Sequence, residues 1–244
     1  MIGVAIRALA TDYDGTLATR GVVPDATVEA LKRLKASGRK LLLITGRELP
    51  DLKQVFPHVG LFDAVVVENG ALLYRPEREE EELLAPAPPA AFLDELRRRK
   101  VEPLAVGRCI VATLRNHDEA VAASIAALEL PWRIIFNNES LMCLPDGVDK
   151  ASGLVAGLHA LGLTPPEVVG VGDAENDHPF LAAAGVSAAV ANALPSLKAD
   201  VDLVTEGEEG AGVAWLIERV LDGTLDELVA KREATAPAAV AQSS

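Results

Sequence analysis

At 244 residues, half of them hydrophobic, the chain is long enough for one large domain or for a core domain carrying a smaller insertion. With 23 Lys plus Arg against 36 Asp plus Glu, its net charge is -13, so most of its surface repels nucleic acid and anionic lipid and neither is a favoured partner. No stretch approaches the ~18 uninterrupted apolar residues of a membrane helix, and no secretory leader pattern opens the chain, so a soluble, cytoplasmic protein is expected.

In chain order, residues 4–10 read as a buried strand that ends at "TDYDGTLA". "PDATVEALKRLKASG" places Val28, Leu31 and Leu34 at helical spacing, with Gly38 as a stop signal. "KLLLIT" reads as a strand covered on both faces, followed by a short helical piece near 48–56 and a third strand in "DAVVVENG". Strands alternating with helices imply an α/β fold with a doubly wound parallel sheet. The pattern breaks at "RPEREEEELLAPAPPAA", where an acidic run reads as a solvated loop and Pro86, Pro88 and Pro89 as a stiff junction. Residues 92–145 then suit a small α+β layer: a helix, the strand-like "PLAVGRCIVATL", a second helix and two short strands joined at "NNES". The doubly wound pattern resumes with a helix over 150–162, the strand "EVVGVGD", a helix from about 177, short strands "SAAVA" and "VDLVT", and a final helix near 211–222. Two separated segments, 1–75 and 147–227, are therefore expected to build one core, with 76–146 inserted as a cap and 228–244 a frayed tail. Cys109 and Cys143 match no metal-ligand spacing and read as buried thiols.

Ligands of open parallel sheets bind outside the carboxyl ends of the strands, and there the chemistry-bearing residues fall. Asp12 and Asp14 follow the first strand, Thr45 the second, and Asp173 and Asp177 a later one, while Lys150 opens the helix returning from the insertion. Acids sharing one crevice repel unless a cation sits among them, and hard oxygen ligands select Mg²⁺. A carboxylate at Asp12 can attack phosphorus, and Asp14, on the same side of the pleat, can protonate the leaving oxygen and later deprotonate water. Gly15 and Gly46 let backbone N–H groups approach phosphate oxygens, which Thr45 and Lys150 can also hold.

The four stretches "DYDGTLA", "LLITGR", "DK" at 149–150 and "GDAENDHPFL" resemble, in this order, the motifs of the haloacid dehalogenase (HAD) superfamily of phosphohydrolases. "VVENGALL" and the insertion resemble the Cof-type subclass (IIB), which carries an α/β cap, and the likeness spans roughly residues 4–222. The resemblance implies Asp12 as nucleophile and Asp14 as acid/base. It also implies Mg²⁺ held by Asp12, Asp14 through its backbone carbonyl, and Asp173, with Asn176 and Asp177 in support. Thr45 and Lys150 match its phosphate-binding positions, and with them Gly46, Arg47 and Asn176 are the substrate-binding candidates. Tyr13, Ala151, Ala174 and His178 depart from the family pattern without removing a catalytic group. The resulting expectation is a Mg²⁺-dependent phosphatase acting on a small phosphorylated metabolite, a sugar phosphate or phosphorylated organic acid. A phosphomutase is the alternative, and a non-catalytic phosphate-binding module a more distant one. Among cap residues, Arg108, Arg115 and Arg133 are candidates for gripping a second anionic group. Glu68 and Asn69 either contact substrate or shape the turn into the cap, and His178 is expected in a structural role rather than as a ligand. Oligomeric state is not legible.

Overall fold

The computed structural model describes residues 5–137 and 139–226; the expected tail 228–244 and Asn138 of the "NNES" turn lie outside the described residues. The first core segment runs β1 (Ala8–Thr11), α1 (Asp25–Ala36), β2 (Lys40–Ile44), α2 (Leu49–Val55), β3 (Ala64–Val67), β4 (Leu72–Arg75) and β5 (Glu80–Leu83). The cap follows with α3 (Ala90–Arg98), β6 (Ala105–Val106), β7 (Val111–Leu114), α4 (Asp118–Ala127), β8 (Trp132–Asn137) and β9 (Ser140–Pro145). The core then resumes as α5 (Lys150–Leu161), β10 (Val168–Gly172), α6 (His178–Ala183), β11 (Val186–Ala189), α7 (Pro195–Asp200), β12 (Leu203–Val204) and α8 (Glu209–Leu221).

The larger sheet has the order β12-β11-β10-β1-β2-β3-β4-β5, parallel from β12 to β3 and antiparallel at β4 and β5. Its central strands β1, β3 and β10 are buried along their whole length and, Thr11 of β1 apart, carry no polar side chain, as covering helices on each face require. The chain leaves β1 toward β2 on one side and returns through β10 on the other. The strand order therefore reverses at β1, and the crevice at such a switch point is where open sheets bind ligands. Asp12 stands there.

The α1 stripe is as expected, with Val28, Leu31 and Leu34 all buried. Two expectations need correction. The acidic run does not form a loop: Glu80–Leu83 pairs with β4 as an exposed edge strand. An edge needs one neighbour and no buried face, and its charges discourage further pairing. The strand-like "PLAVGRCIVATL" is also not one strand, because residues 107–110 turn between β6 and β7. Strand β4 and helix α7 were not anticipated.

The cap sheet has the order β6-β7-β9-β8, all antiparallel. Its own core gathers Phe92, Leu96, Val111, Val121, Trp132 and Leu141. A third cluster joins the two layers, with Ala71 and Ala85 meeting Cys109, Ile110, Met142 and Leu144. Both cysteines are free and buried, as expected. No helix among the described residues is long and apolar enough to cross a membrane.

Candidate active site

Asp12 sits just beyond β1, held in line with the sheet by its backbone N–H to the Val171 carbonyl (3.0 Å). Its side chain is buried, and one oxygen, Oδ1, accepts from Lys150 Nζ at 2.5 Å. The same ammonium donates to Asp177 Oδ1 at 2.5 Å, and the Lys150 residue is only 1% exposed. Burial alone would lower the Lys150 pKa, but Asp12 and Asp177 together outweigh it and raise it. Asp177 is oriented from its other side, since Oδ2 accepts the backbone N–H groups of Asp173 (2.8 Å) and Ala174 (3.0 Å). Asp173 receives the Thr16 hydroxyl at 2.6 Å. Thr16 was not singled out in sequence; the only signal was a hydroxyl inside the "DGT" turn.

Carboxylate oxygens of Asp12, Asp173 and Asp177 lie within 4.8 Å of one another. Burial, reinforced by Asp177 and Asp173 against Lys150, pushes the Asp12 carboxyl well up. Burial likewise pushes Asp173 up to about 6, the Thr16 bond opposing it. Three acids thus face one ammonium, a set whose oxygen donors and surplus negative charge fit a hard divalent cation. The Asp14 carboxylate stands outside this cluster. It is clamped by Arg47, with Nε to Oδ2 at 2.6 Å and Nη2 to Oδ1 at 2.7 Å.

Gly15 has a positive φ of 78°, and a Cβ there would lie 2.5 Å from Asp173 Oδ2. The glycine is therefore required for close approach of the Asp173 carboxylate, a reason distinct from the phosphate approach expected from sequence.

A cavity of about 300 Å³ lies between core and cap, lined by Asp12, Asp14, Thr45, Gly46, Arg47 and Asp51 below and by Ala112, Asn137, Ser140 and Met142 above. A second, of about 320 Å³, is lined by Asn69, Glu175, Asn176, Pro179 and Asp149 of the core and by Arg115, Arg133 and Ile134–Phe136 of the cap. Asn176 and Asn69 are both buried and bonded to each other, Nδ2 to Oδ1 at 3.0 Å. Asn69 Nδ2, Asn176 Oδ1 and Arg133 Nε are buried with no hydrogen-bond partner among the described residues. Arg108 instead pairs with Glu81 of β5 at 2.7 Å, and His178 turns to Asp200 of α7 at 3.2 Å, away from the acid cluster.

A family model described as haloacid dehalogenase-like hydrolase matches residues 9–102 and 94–217. The chain belongs to the haloacid dehalogenase-like hydrolases. Among its HAD relatives, phosphoglycolate phosphatase 2 of Saccharolobus solfataricus is 30% identical over 231 residues, covering 91% of this chain and 95% of that protein. The phosphoglycolate phosphatase of Methanopyrus kandleri is 30% identical over 224 residues, covering 87% and 96%. These relatives agree with hydrolysis of a phosphoric monoester. The HAD fold is also shared with solved structures. A Thermoplasma acidophilum protein superposes with a TM-score of 0.76 at 18% identity over 89% of this chain and 99% of that one. A HAD subclass IIB sugar phosphatase gives 0.67 at 19% identity over 93% and 99%. The four-stranded cap with its two helices is consistent with that subclass.

Proposed function

We propose that this chain is a Mg²⁺-dependent phosphatase that hydrolyses a small phosphorylated metabolite through an aspartyl-phosphate on Asp12. The observation that supports it most is that Asp12, whose carboxylate is held by the buried Lys150–Asp177 pair, lines one cap-covered cavity together with Asp14 and Thr45. Asp12 attacks phosphorus, the ester P–O bond breaks, and Asp14 gives its proton to the departing alcohol oxygen. Asp14 then takes a proton from the water that attacks the aspartyl-phosphate, releasing inorganic phosphate and restoring both acids. Lys150 holds Asp12 in place, and with Thr45 balances charge on the phosphoryl oxygens. Asp12, Asp173 and the Asp14 backbone carbonyl are the proposed cation ligands, with Asp177 and Asn176 orienting them. When bound, Mg²⁺ neutralises the acid cluster and withdraws charge from the phosphoryl group.

The alcohol half of the substrate extends toward the second cavity, which Arg115 and Arg133 of the cap line together with Asn69 and Asn176 of the core. Two guanidinium and two amide side chains favour hydroxyl or carboxylate groups there. Phosphoglycolate, the substrate named for the archaeal relatives, is the first compound to assay. Mg²⁺-dependent phosphate release from a panel of phosphorylated acids and sugars tests the reading. Asp12→Asn, nearly isosteric but unable to form the acyl phosphate, is expected to lose turnover while keeping its thermal midpoint. Full activity of that variant, or full activity in excess chelator, would refute the proposal.

A further inference from the structure

Glu68 follows β3 and is 1% exposed, yet it belongs neither to the acid cluster nor to the lining of the two cavities described. Its carboxylate is taken up by the cap. Oε1 accepts the Arg108 backbone N–H at 2.9 Å, and Oε2 accepts those of Cys109 at 2.7 Å and Ile110 at 3.0 Å. All three amides belong to the turn between β6 and β7, so a core side chain satisfies donors that the turn leaves without strand partners. The approach is close: a Cβ on Gly107 would fall 2.8 Å from Glu68 Cδ and Oε1. Only a residue without a side chain leaves room for the carboxylate at that position.

The other end of Glu68 is tied to the catalytic loop. Its backbone N–H donates to the Arg47 carbonyl at 2.9 Å, and the Asn69 N–H donates to the Thr45 carbonyl at 2.9 Å. Glu68 and Asn69 both adopt left-handed backbone, with φ of 51° and 55°, where the chain turns back from β3 into the antiparallel β4. Beside the latch lies the apolar joint of Ala71, Ala85, Cys109, Ile110, Met142 and Leu144. Met142, and Ala112 one residue past the start of β7, form part of the roof over Asp12 and Asp14. Apolar contacts can slide over one another, whereas three directed hydrogen bonds to a carboxylate define one register.

We propose that Glu68 is a positioning residue: through the turn at 107–110 it fixes the cap roof over the catalytic cavity in register with the Thr45–Arg47 loop. The proposal rests on the phosphatase reading, because the roof matters only if the ester binds beneath it.

The test compares wild type with Glu68→Gln, whose amide places an N–H among the three donors, and Gly107→Ala, which keeps the carboxylate but displaces it. Hydrogen exchange of amides 108–110 is read beside that of β1 and β10. KM and kcat are measured for p-nitrophenyl phosphate, whose bulky aryl ring makes it the ester more sensitive to the position of the roof, and for the smaller acetyl phosphate. Both variants are expected to lose at least tenfold in protection at 108–110 while β1 and β10 are unchanged. KM for the aryl ester should rise about fivefold or more, with KM for acetyl phosphate and both kcat values within about twofold of wild type. Unchanged protection at 108–110, or equal KM rises for the two esters, would overturn the proposal. So would loss of core protection along with the cap, or failure of both variants to fold, since either would make Glu68 a general support. If the wild type hydrolyses neither ester, the phosphatase reading fails instead, and the exchange data alone decide whether the latch exists.

Discussion

Arg47 shows how one side chain can serve two neighbours. Its guanidinium forks onto both Asp14 oxygens and also donates to Asp51 at 2.5 Å. It lies 5.3 Å over the Tyr13 ring, whose hydroxyl donates to the Gly21 carbonyl at 2.9 Å. An aliphatic residue at position 13 would supply neither contact, which gives the departure from the family pattern a physical role. Sequence placed Arg47 among the substrate-binding candidates; the geometry makes it the group that orients the proposed acid/base. Lysine cannot span a carboxylate with two parallel N–H groups. Arg47→Lys is therefore expected to lower kcat/KM about tenfold for an alkyl phosphate, whose leaving oxygen needs a proton, and much less for p-nitrophenyl phosphate, whose leaving group does not. Steady-state kinetics on the two esters check this. Equal losses would instead assign Arg47 to the phosphoryl group.

The element that matters most to the site is α5, because its first residue is Lys150. Asp149 starts the helix: Oδ1 accepts the Ser152 N–H at 2.9 Å, and the Ser152 hydroxyl accepts the Asp149 N–H at 3.0 Å, a reciprocal capping box. Its other oxygen accepts from Arg133 Nη2 of β8 at 2.8 Å. One carboxylate thus begins the helix and ties it to the cap. Asp149→Ala is expected to cost about 1–2 kcal/mol, mostly from the lost cap, since the Arg133 pair is partly solvated and contributes little. Asp149→Asn, which still caps, should cost less than half of that. Urea melts with a lowered midpoint and an unchanged m-value would check both figures. A loss as large for Asn as for Ala would shift the weight to the ion pair.

At the scale of the whole molecule, the acid cluster sets a conflict between folding and function. In the metal-free protein the Asp173 carboxyl is pushed up to about 6 by burial first, with Asp177 adding to it. The folded state therefore holds that proton more tightly than the unfolded chain does. The stability it contributes is fully present below the unfolded value near 4 and is lost as pH rises through about 6. A divalent cation bound only by the folded state reverses the loss, by about 2.7 kcal/mol at a hundred times its Kd. Thermal melts in chelator are expected to show Tm falling from pH 4.5 toward 7, and Mg²⁺ should raise Tm most at pH 7. An unchanged Tm on adding Mg²⁺ at pH 7 would argue against a cation site in this cluster.

By itself the sequence determined the order and kind of most elements, because apolar periodicity is a local signal: the α1 stripe at Val28, Leu31 and Leu34, the apolar run Leu41–Ile44 of β2 and the wholly apolar β3, and the resumption at Lys150. It also singled out Asp12, Asp14, Thr45, Asp173, Asp177 and Lys150, since unpaired acids and a lysine at the ends of apolar strands are expensive unless something joins them. Only the tertiary structure decided which groups do the joining. Lys150 lies 138 residues from Asp12 and 27 from Asp177 in the chain, yet one ammonium meets both. The same holds for the clamp of Arg47 on Asp14, the amide pair of Asn69 and Asn176, and the Glu68 carboxylate in the cap turn. Strand β5 belongs with these. Its acidic run carries no pattern of its own and becomes a strand only because β4 presents an edge to pair with. A side chain's chemistry is written at its position, but its partner is set by the packing of elements distant in the chain, which local pattern does not encode.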